Sequence, residues 1–599
     1  MRRLRLIQLS CRLWRQKIDT TMKKIYFAVF WLFNVFIAHA QQRTYCNPIN
    51  IDYGYTPIPN FSEWGRHRAT ADPVIVNYKG DYFLFSTNQW GYWWSSDMLN
   101  WKFISKKFLR PWNGGVYDEL CAPAVGIIGD TMLVFGSTYT STFTIWMSTN
   151  PKANEWKPLV DSFSLGGWDP SFFTDDDGRL YMYNGSSNKF PMYGIELNRK
   201  TMSPIGYRKE MYLLEPWRYG WQRFGEYMDN TFLDPFIEGS HMTKHDGKYY
   251  LQYGAPGTEF SGYADGVIVG EHPLGPFAPQ SDPLSFKLGG FVRGAGHGAT
   301  FEDNDKKFWH VSTVVLSVKN NFERRLGIWP TGFDKDGVMW CNTAFGDYPT
   351  YLPGTANAGG FTGWMLLNYK TPVQVSSTFG GYHANNAVDE VMKTYWSAAT
   401  GNKGEWIQTD MGNISTVNAI QINYADQDVD DDRLGKRTDQ FHQYKLYYSA
   451  DGKKWSVLTD KSNNKTDVPH DYIELNQPVK ARYIKLENIH MPTGKFAISG
   501  LRVFGNGGGA KPDKVKQFIV LRTEKDKRSA YMKWSPVNNA YAYNIYYGTD
   551  PEKLYNCIMV HDFNEYWFKG MDSQKTYYYT IEAVNGSGVS EKLPVMKVE

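Results

Sequence analysis

Short runs of aromatic and aliphatic residues, each directly after a tight turn, recur five times in the first part of the chain. The spacings between successive turns are 49, 49, 69 and 59 residues, and the turns lie at Gly80, Gly129, Gly178, Gly247 and Lys306. A hairpin repeated at this period cannot bury its faces alone, so the pattern predicts a β-propeller with one four-stranded blade per turn. Five turns predict five blades. The alternative is that aromatic hairpins recur by chance in an all-β protein.

Gly-rich stretches divide the chain into further units, as flexible joints between patterned segments commonly do. The predicted fold is all-β, a five-bladed β-propeller followed by two β-sandwich domains. The predicted boundaries are 1–40 for upstream residues and a signal peptide, 41–355 for the propeller, 356–371 for a linker, 372–506 for the first sandwich, 507–512 for a Gly-rich linker and 513–599 for the second sandwich.

The composition supports this fold. Of 599 residues, 22 are Trp, 41 are Tyr, 35 are Phe and 55 are Gly, as expected of aromatic strands joined by tight turns. The chain is 42% hydrophobic and 21% charged, which argues against a disordered, collagen-like or coiled-coil protein.

The N-terminal residues resemble an export signal. Lys23 and Lys24 precede an apolar run from Ile25 to Ile37, and small residues follow up to Ala40. We expect translation to start at Met22, cleavage near Ala40, and an exported, periplasmic or extracellular protein.

Segment 1–40 holds eight Lys or Arg and one Asp, so its removal leaves 57 basic and 60 acidic residues, a net charge of −3. No nucleic-acid partner is implied. The apolar run is too short for a comfortable membrane span, so we expect no transmembrane segment. We also expect a monomer.

Four cysteines lie beyond this segment, at wide spacings and without a CxxC pair. A zinc site is therefore not expected. Cys46 and Cys341 could form a disulfide, and buried free thiols are an equal alternative.

Four ionisable residues occupy equivalent positions before the hairpin turns. Each lies eight or nine residues before its turn, in four of the five repeats. The four residues are Asp72, Asp169, Glu238 and His297. The strand that enters such a hairpin is expected to be the innermost one, so these side chains should converge at one mouth of the axial channel. A lone Asp-Pro pair is more often a strand start or turn, but four positions in register favour a functional site.

Three carboxyl groups at one place suit glycoside hydrolysis. One carboxylate activates water while a second carboxyl group protonates the leaving oxygen. A third carboxylate raises the pKa of the acid by repulsion between like charges.

The motifs around these residues resemble glycoside hydrolase family 43, which is an inverting family with a five-bladed propeller. The resemblance covers residues 41 to about 353 and implies a role for each matching position. It implies that Asp72 in Ala-Asp-Pro is the general base, Glu238 in Ile-Glu-Gly-Ser-His the general acid, and Asp169 in Trp-Asp-Pro-Ser the residue that orients this acid and modulates its pKa. It also implies that His297 lies in the axial channel. No cofactor is required on this reading, although Ca²⁺ or another ion could lie near His297, held through water.

The same resemblance implies that Arg324 contacts the sugar, with a register made ambiguous by the adjacent Arg325. Aromatic rings pack on the C–H faces of sugars, so Trp168 and Trp93 are candidate substrate-binding residues. The second blade departs from many relatives because Ala122-Pro123-Ala124 carries no acidic residue there.

The two downstream units resemble known sandwiches. Residues 372–505 resemble a discoidin, or factor V/VIII C-type, domain, a fold also used to bind carbohydrate. Residues 513–599 resemble a fibronectin type III domain and are interpreted as a spacer.

These observations predict an inverting exo-glycosidase that acts on a carbohydrate substrate, plant polysaccharide or glycan side chains. The α-L-arabinofuranosidase reading is preferred, β-xylosidase and exo-β-1,3-galactosidase are alternatives, and a catalytically silent sugar-binding protein is the non-enzyme alternative.

Overall fold

The computed structural model describes residues 43–55, 67–109, 119–138, 143–163, 165, 167–316, 322–429, 435–437 and 439–599. The predicted signal peptide and the expected start at Met22 lie outside these residues. Residues from Thr44 to Glu599 form one compact unit. Within the described residues, no helix is both long enough and apolar enough to cross a membrane.

The described residues of the first unit form five four-stranded blades, as predicted. A short strand β1 (Thr44–Tyr45) precedes them. Each blade is an antiparallel meander. The first three blades are formed by β2 (Val74–Tyr78), β3 (Asp81–Phe85), β4 (Gly91–Ser95) and β5 (Lys102–Ser105); by β6 (Cys121–Ile128), β7 (Thr131–Ser137), β8 (Phe143–Asn150) and β9 (Glu155–Phe163); and by β10 (Ser171–Thr174), β11 (Leu180–Asn184), β12 (Met192–Leu197) and β13 (Pro204–Tyr212). The fourth blade is formed by β14 (Glu238–His245), β15 (Lys248–Ala255), β16 (Ala264–Gly270) and β17 (Phe277–Pro279), and the fifth, which follows the short strand β18 (Lys287–Leu288), by β19 (Arg293–Glu302), β20 (Phe308–Val315), β21 (Arg324–Phe333) and β22 (Met339–Cys341).

The first strand of every blade is the innermost one. Neighbouring first strands contact each other in a closed ring that runs through β2, β6, β10, β14 and β19 and returns to β2. The turn that follows each first strand is the turn recognised in the sequence, and Gly80 and Gly247 adopt the positive φ that such turns favour in glycine. Residues just before the first strands therefore converge on the propeller axis.

The second unit follows β23 (Thr350–Tyr351), which pairs with β1. Its eight strands belong to one hydrogen-bonded system and enclose a separate core. They are β24 (Met365–Leu366), β25 (Val373–Val375), β26 (Trp396–Ser397), β27 (Trp406–Tyr424), β28 (Gln443–Ser449), β29 (Ser456–Asp460), β30 (His470–His490) and β31 (Ala497–Asn506). Because β24 pairs with β31, part of the predicted linker 356–371 belongs to this unit.

The third unit has a three-stranded and a four-stranded sheet, with one short additional strand. The strands are β32 (Phe518–Arg522), β33 (Ala530–Trp534), β34 (Ala542–Gly548), β35 (Asn556–His561), β36 (Glu565–Phe568), β37 (Tyr577–Asn585), β38 (Gly588–Val589) and β39 (Met596–Val598). The remaining regular elements of the described chain are three single-turn 3₁₀ helices, Pro151–Ala153, Gly220–Gln222 and Ala384–Ala387.

The third unit is not a spacer. Propeller side chains such as Tyr181 and Tyr253 share one hydrophobic core with Trp534 and Tyr547 of this unit. In addition, β18 of the propeller pairs in parallel with β35. The sequence interpretation was wrong because each half of this core looks like the interior of its own unit.

The four cysteines of the described chain are buried and unpaired. Of the two alternatives for Cys46 and Cys341, the free thiols are the correct one.

Candidate active site

The candidate site begins with an unusual backbone conformation at the start of the inner strands. Asp72, Ala122, Asp169 and His297 have φ values of 53°, 44°, 54° and 46°. Non-glycine residues seldom adopt this left-handed region, which costs about 1 to 3 kcal/mol and occurs preferentially at functional sites. The blade carrying Glu238 places Gly239 in the same conformation (φ 66°).

A glycine at 239 is required by close packing as well as by its φ. A Cβ atom built on Gly239 would lie 2.7 Å from Cγ of His297. Glu238 therefore lies one residue before the left-handed position of its blade, whereas the count from the turn had put all four ionisable residues at equivalent places.

Hydroxyl groups of the neighbouring blade hold three of these positions. The N–H groups of Asp72, Ala122 and Asp169 donate to side-chain oxygens at 2.8, 2.9 and 2.8 Å, and the acceptors are Thr313, Thr87 and Ser137 respectively. Each acceptor lies on or just beyond the second strand of the preceding blade. These hydrogen bonds therefore join neighbouring blades at Asp72, Ala122 and Asp169.

The four predicted ionisable residues meet at one place. Nδ1 of His297 lies 3.2 Å from Oδ1 of Asp72 and 3.9 Å from Oδ2 of Asp169. Asp169, Glu238 and His297 each present an atom within 4.8 Å of the others. Convergence of Asp72, Asp169, Glu238 and His297 is the arrangement that the repeat predicted.

Asp72 is held as a carboxylate. Burial alone would raise its pKa, but the charges of His297 and Arg324 and a hydrogen bond from Thr87 outweigh that effect and lower the pKa below its usual value. The Thr87 hydroxyl donates to Oδ2 at 2.5 Å, and Arg324 Nη1 lies 3.6 Å from Oδ1. A carboxylate that stays ionised suits a general base.

Glu238 is in the opposite state. Burial and the nearby Asp169 raise the pKa of Glu238 to about 8, against a partial opposing effect of His297. The hydroxyl of Tyr263 also hydrogen-bonds to Glu238. Burial and the charge of Asp72 raise the pKa of Asp169 to about 7, although hydrogen bonds with Ser186 and Glu238 act to lower it. Near neutral pH, Glu238 therefore carries a proton that it can donate.

The structure distinguishes the two adjacent arginines. Arg324 faces the site, where it approaches Asp72 and donates to Oγ1 of Thr258 at 3.1 Å. Arg325 points the other way and donates to Nε2 of His470 in the second unit at 2.8 Å. Alternation along β21 decides the register in favour of Arg324.

The two candidate tryptophans have different surroundings. Trp168, directly before Asp169, is 39% exposed and can present its ring to a ligand. Trp93 is fully buried in the core of the first blade, where its indole N–H donates to Asp52 at 2.6 Å and its ring contacts Phe103. The prediction of a substrate contact is therefore wrong for Trp93, because both faces of β4 are covered.

Sequence reasoning missed the residues that support the site. Thr87 and Tyr263 hydrogen-bond to Asp72 and Glu238, respectively. Asp265 accepts from the N–H of Gly298, next to His297, at 2.9 Å and lies 2.8 Å from the buried His310. Thr87 lies just beyond β3, whereas Tyr263 and Asp265 lie at the start of β16. No sequence motif marks these positions, so they can be recognised only from the fold.

The donor set does not fit a directly bound calcium ion. Ca²⁺ takes six to eight oxygen ligands, whereas Asp169, Glu238 and His297 offer one imidazole and two carboxyl groups of raised pKa. Direct ligation would also ionise Glu238, the group that holds the proton.

A buried, ionised carboxylate beside a protonated carboxyl group at a propeller axis is suited to glycosidic bond cleavage. The arrangement is the one that the sequence predicted for a glycoside hydrolase. Residues 67–339 match the model of glycosyl hydrolases family 43, and residues 372–499 match the F5/8 type C domain. Residues 67–339 are therefore similar to family 43 glycosyl hydrolases, and the segment that follows is similar to discoidin-type domains.

Individual relatives are distant. The chain is 27% identical over 274 residues to a xylan 1,3-beta-xylosidase of Vibrio sp, a match that covers 40% of this chain and 47% of the relative. It is 26% identical over 216 residues to a xylosidase/arabinosidase of Bacteroides ovatus, covering 31% of this chain and 59% of the relative. The chain thus spans about half the length of these curated relatives. A solved structure titled glycoside hydrolase matches 75% of this chain and 99% of its own, at 18% identity and a TM-score of 0.44.

Proposed function

We propose that this protein is an inverting exo-glycoside hydrolase with Asp72 as general base and Glu238 as general acid. The observation that carries the proposal is the opposite pKa shift of the two groups within one site, lowered at Asp72 and raised to about 8 at Glu238. Paired titratable groups pushed apart in this way define the acid and the base.

In the proposed reaction, Asp72 accepts a proton from a water molecule as the water oxygen attacks the anomeric carbon. Glu238 donates its proton to the glycosidic oxygen as the bond between that oxygen and the anomeric carbon breaks. The products are a sugar of inverted configuration and a free hydroxyl on the leaving group. Asp169 keeps Glu238 protonated through its negative charge and orients it through the hydrogen bond between the two carboxyl groups.

For the sugar, we propose α-L-arabinofuranoside, with β-xyloside as the first alternative and β-1,3-galactoside as the second. The resemblance of the motifs to family 43 supports the first two, as do the names of the two relatives above. Arg324 and Trp168 are the proposed sugar contacts, because Arg324 faces the site and Trp168 is exposed beside Asp169.

The test is hydrolysis of 4-nitrophenyl α-L-arabinofuranoside, β-D-xyloside and β-D-galactoside by the protein lacking residues 1–40, with Asp72→Asn as control, because loss of the base should impair hydrolysis whatever the leaving group. Release from one glycoside, abolished in the variant, would support the proposal, and ¹H NMR of the first-formed sugar would report inversion. Retention of configuration would contradict the mechanism. No release from these glycosides or from arabinan, xylan and galactan would favour the sugar-binding alternative.

The remaining expectations are proposals as well. We propose export of the chain after cleavage near Ala40, a monomeric state, and a reaction that requires no metal, with any ion near His297 held through water. The third unit is proposed to be fibronectin type III-like, since its sheets have three and four main strands. The proposed reaction does not require the discoidin-type domain to bind sugar through its own loops.

A further inference from the structure

A large cavity lies where the three units meet. Its volume is about 880 Å³, within the range of 300 to 1,000 Å³ that is usual for ligand pockets. The propeller supplies Tyr227 and Ser261, the second unit supplies Asp389–Val391, and the third unit supplies Phe563 and Trp567. The cavity is separate from the four ionisable residues of the candidate active site, which do not line it.

Aromatic side chains on two of the walls are exposed to an unusual degree. Tyr227 is 72%, Phe563 is 66% and Trp567 is 55% exposed, and all three line this one cavity. Exposed rings of this size cost free energy in water unless a ligand covers them. Rings from different units that face one space provide flat apolar surfaces on which the C–H face of a sugar can pack.

Two buried polar atoms in the same walls have no hydrogen-bond partner. They are Oγ of Ser261, a residue that is 7% exposed, and Nε2 of His561. Burial lowers the pKa of His561 to about 4, so its ring is neutral near pH 7 and can donate or accept. Unpaired buried polar groups are rare in native proteins and are costly unless a ligand or water pairs with them. A ligand rich in neutral hydroxyl groups would satisfy both atoms.

The cavity is also connected to the catalytic machinery through the chain. Ser261 lies two residues before Tyr263, whose hydroxyl hydrogen-bonds to the acid Glu238. The N–H of Ser261 donates at 2.9 Å to Glu226, which lies beside Tyr227. A saccharide in the cavity would therefore contact the segment that supports the acid without entering the active site.

We propose that this three-unit cavity is a second saccharide-binding site, which takes a short segment of a neutral polysaccharide through Tyr227, Phe563 and Trp567, with Ser261 and His561 as hydrogen-bonding partners. The site would anchor a polysaccharide next to the catalytic pocket. It goes beyond the proposed hydrolysis and does not depend on which sugar is cleaved.

Isothermal titration calorimetry tests the site on the protein lacking residues 1–40, in the Glu238→Gln background, so that the probes remain intact. The probes are β-1,4-xylohexaose and β-1,3-galactohexaose. Phe563→Ala and Trp567→Ala should each weaken the binding of at least one probe about tenfold or more, since truncation of an aromatic anchor commonly costs that much. The matched control is Tyr207→Ala, which removes an aromatic side chain that is 94% exposed on β13, outside the cavity; it should leave binding unchanged.

In the protein that retains Glu238, the same substitutions should leave the hydrolysis of small 4-nitrophenyl glycosides unchanged. This separates the cavity from the active site, and binding heats would establish the cavity even if no glycoside were hydrolysed. Melting temperatures check folding. If Trp567→Ala is unfolded, Phe563→Ala decides, because Phe563 belongs to no strand. Absence of binding by both probes, or binding that is equal in the cavity variants and in Tyr207→Ala, would overturn the proposal.

Discussion

The hydroxyl of Thr87 donates to Oδ2 of Asp72 while its oxygen accepts the N–H of Ala122. The second contact matters for the first. Because the backbone N–H at 122 occupies a lone pair of the Thr87 oxygen, the hydroxyl proton is directed towards the carboxylate. One side chain thereby fixes the proposed base and joins the first blade to the second.

Thr87→Val should raise the pKa of Asp72, because it keeps the shape of the side chain and removes the hydrogen bond to the ionised form. The acid limb of the kcat/KM profile should then move to higher pH. Thr87→Ser retains the hydroxyl and should restore the original limb. An acid limb that is the same in Thr87→Val and the unsubstituted protein would show that Thr87 has only a structural role.

Glu238→Gln should lower kcat by about 10² to 10⁴-fold, the usual contribution of a general acid. The loss should be greater when the leaving group is a sugar than when it is 4-nitrophenol, since 4-nitrophenolate departs readily without a proton. Asp72→Asn should lower the rate by a similar factor for both leaving groups, because it impairs the attack of water.

The comparison of these two variants on a natural disaccharide and on the 4-nitrophenyl glycoside assigns the roles. If Glu238→Gln lowered kcat by the same factor for both leaving groups, the assignment of Glu238 as the acid would be contradicted.

The activity profile should show an alkaline limb near pH 8, where Glu238 loses its proton. The limb belongs to the coupled pair of Asp169 and Glu238 rather than to either residue alone. Asp169→Asn removes the negative charge that helps to raise the pKa of Glu238, so the limb should move to lower pH. Asp176→Asn is the matched control, because that carboxylate is 86% exposed and lies outside the site. An unmoved limb in Asp169→Asn would remove Asp169 from the role of pKa modulator.

The raised pKa of Glu238 also predicts how stability depends on pH. In the unfolded chain this carboxyl group loses its proton near pH 4, whereas the folded protein retains the proton until about pH 8. Unfolding therefore releases a proton between these values, and rising pH favours the unfolded state. Glu238→Gln removes this effect, so it should raise the melting temperature relative to the unsubstituted protein more at pH 8 than at pH 4. An equal difference at both values would mean that burial does not hold the proton on Glu238.

Turn spacing and equivalent positions were enough to predict the blades and the convergence of Asp72, Asp169, Glu238 and His297. Both features depend on short-range signals repeated along the chain. The choice between Arg324 and Arg325 depends on the face of β21 that meets the channel, and one residue of shift reverses it. Trp93 and Trp168 look alike in sequence, but only the neighbouring blades determine which of them is covered.

The contact between the propeller and the third unit could not be predicted, because the aromatic residues on either side of it have the pattern of an ordinary core.

The strength of this contact can be tested at one ion pair. Arg218 donates to both carboxylate oxygens of Asp572 at 3.2 and 3.1 Å, and the Asp572 side chain is fully buried. This pair fastens the segment that follows β13 to the third unit.

Removing one partner of a buried ion pair commonly destabilises a protein by about 3 to 5 kcal/mol. Asp572→Asn should decrease the free energy of unfolding by an amount near the lower end of this range, because Arg218 is partly exposed. Asp410→Asn is the matched control, since Asp410 also pairs with both nitrogens of an arginine, Arg482, but lies at the surface of the second unit. Its cost should be about 1 kcal/mol or less. Urea unfolding of the two variants gives the comparison. Equal, small losses would mean that the third unit contributes little at this contact, whereas the expected difference would make it an integral part of the catalytic domain.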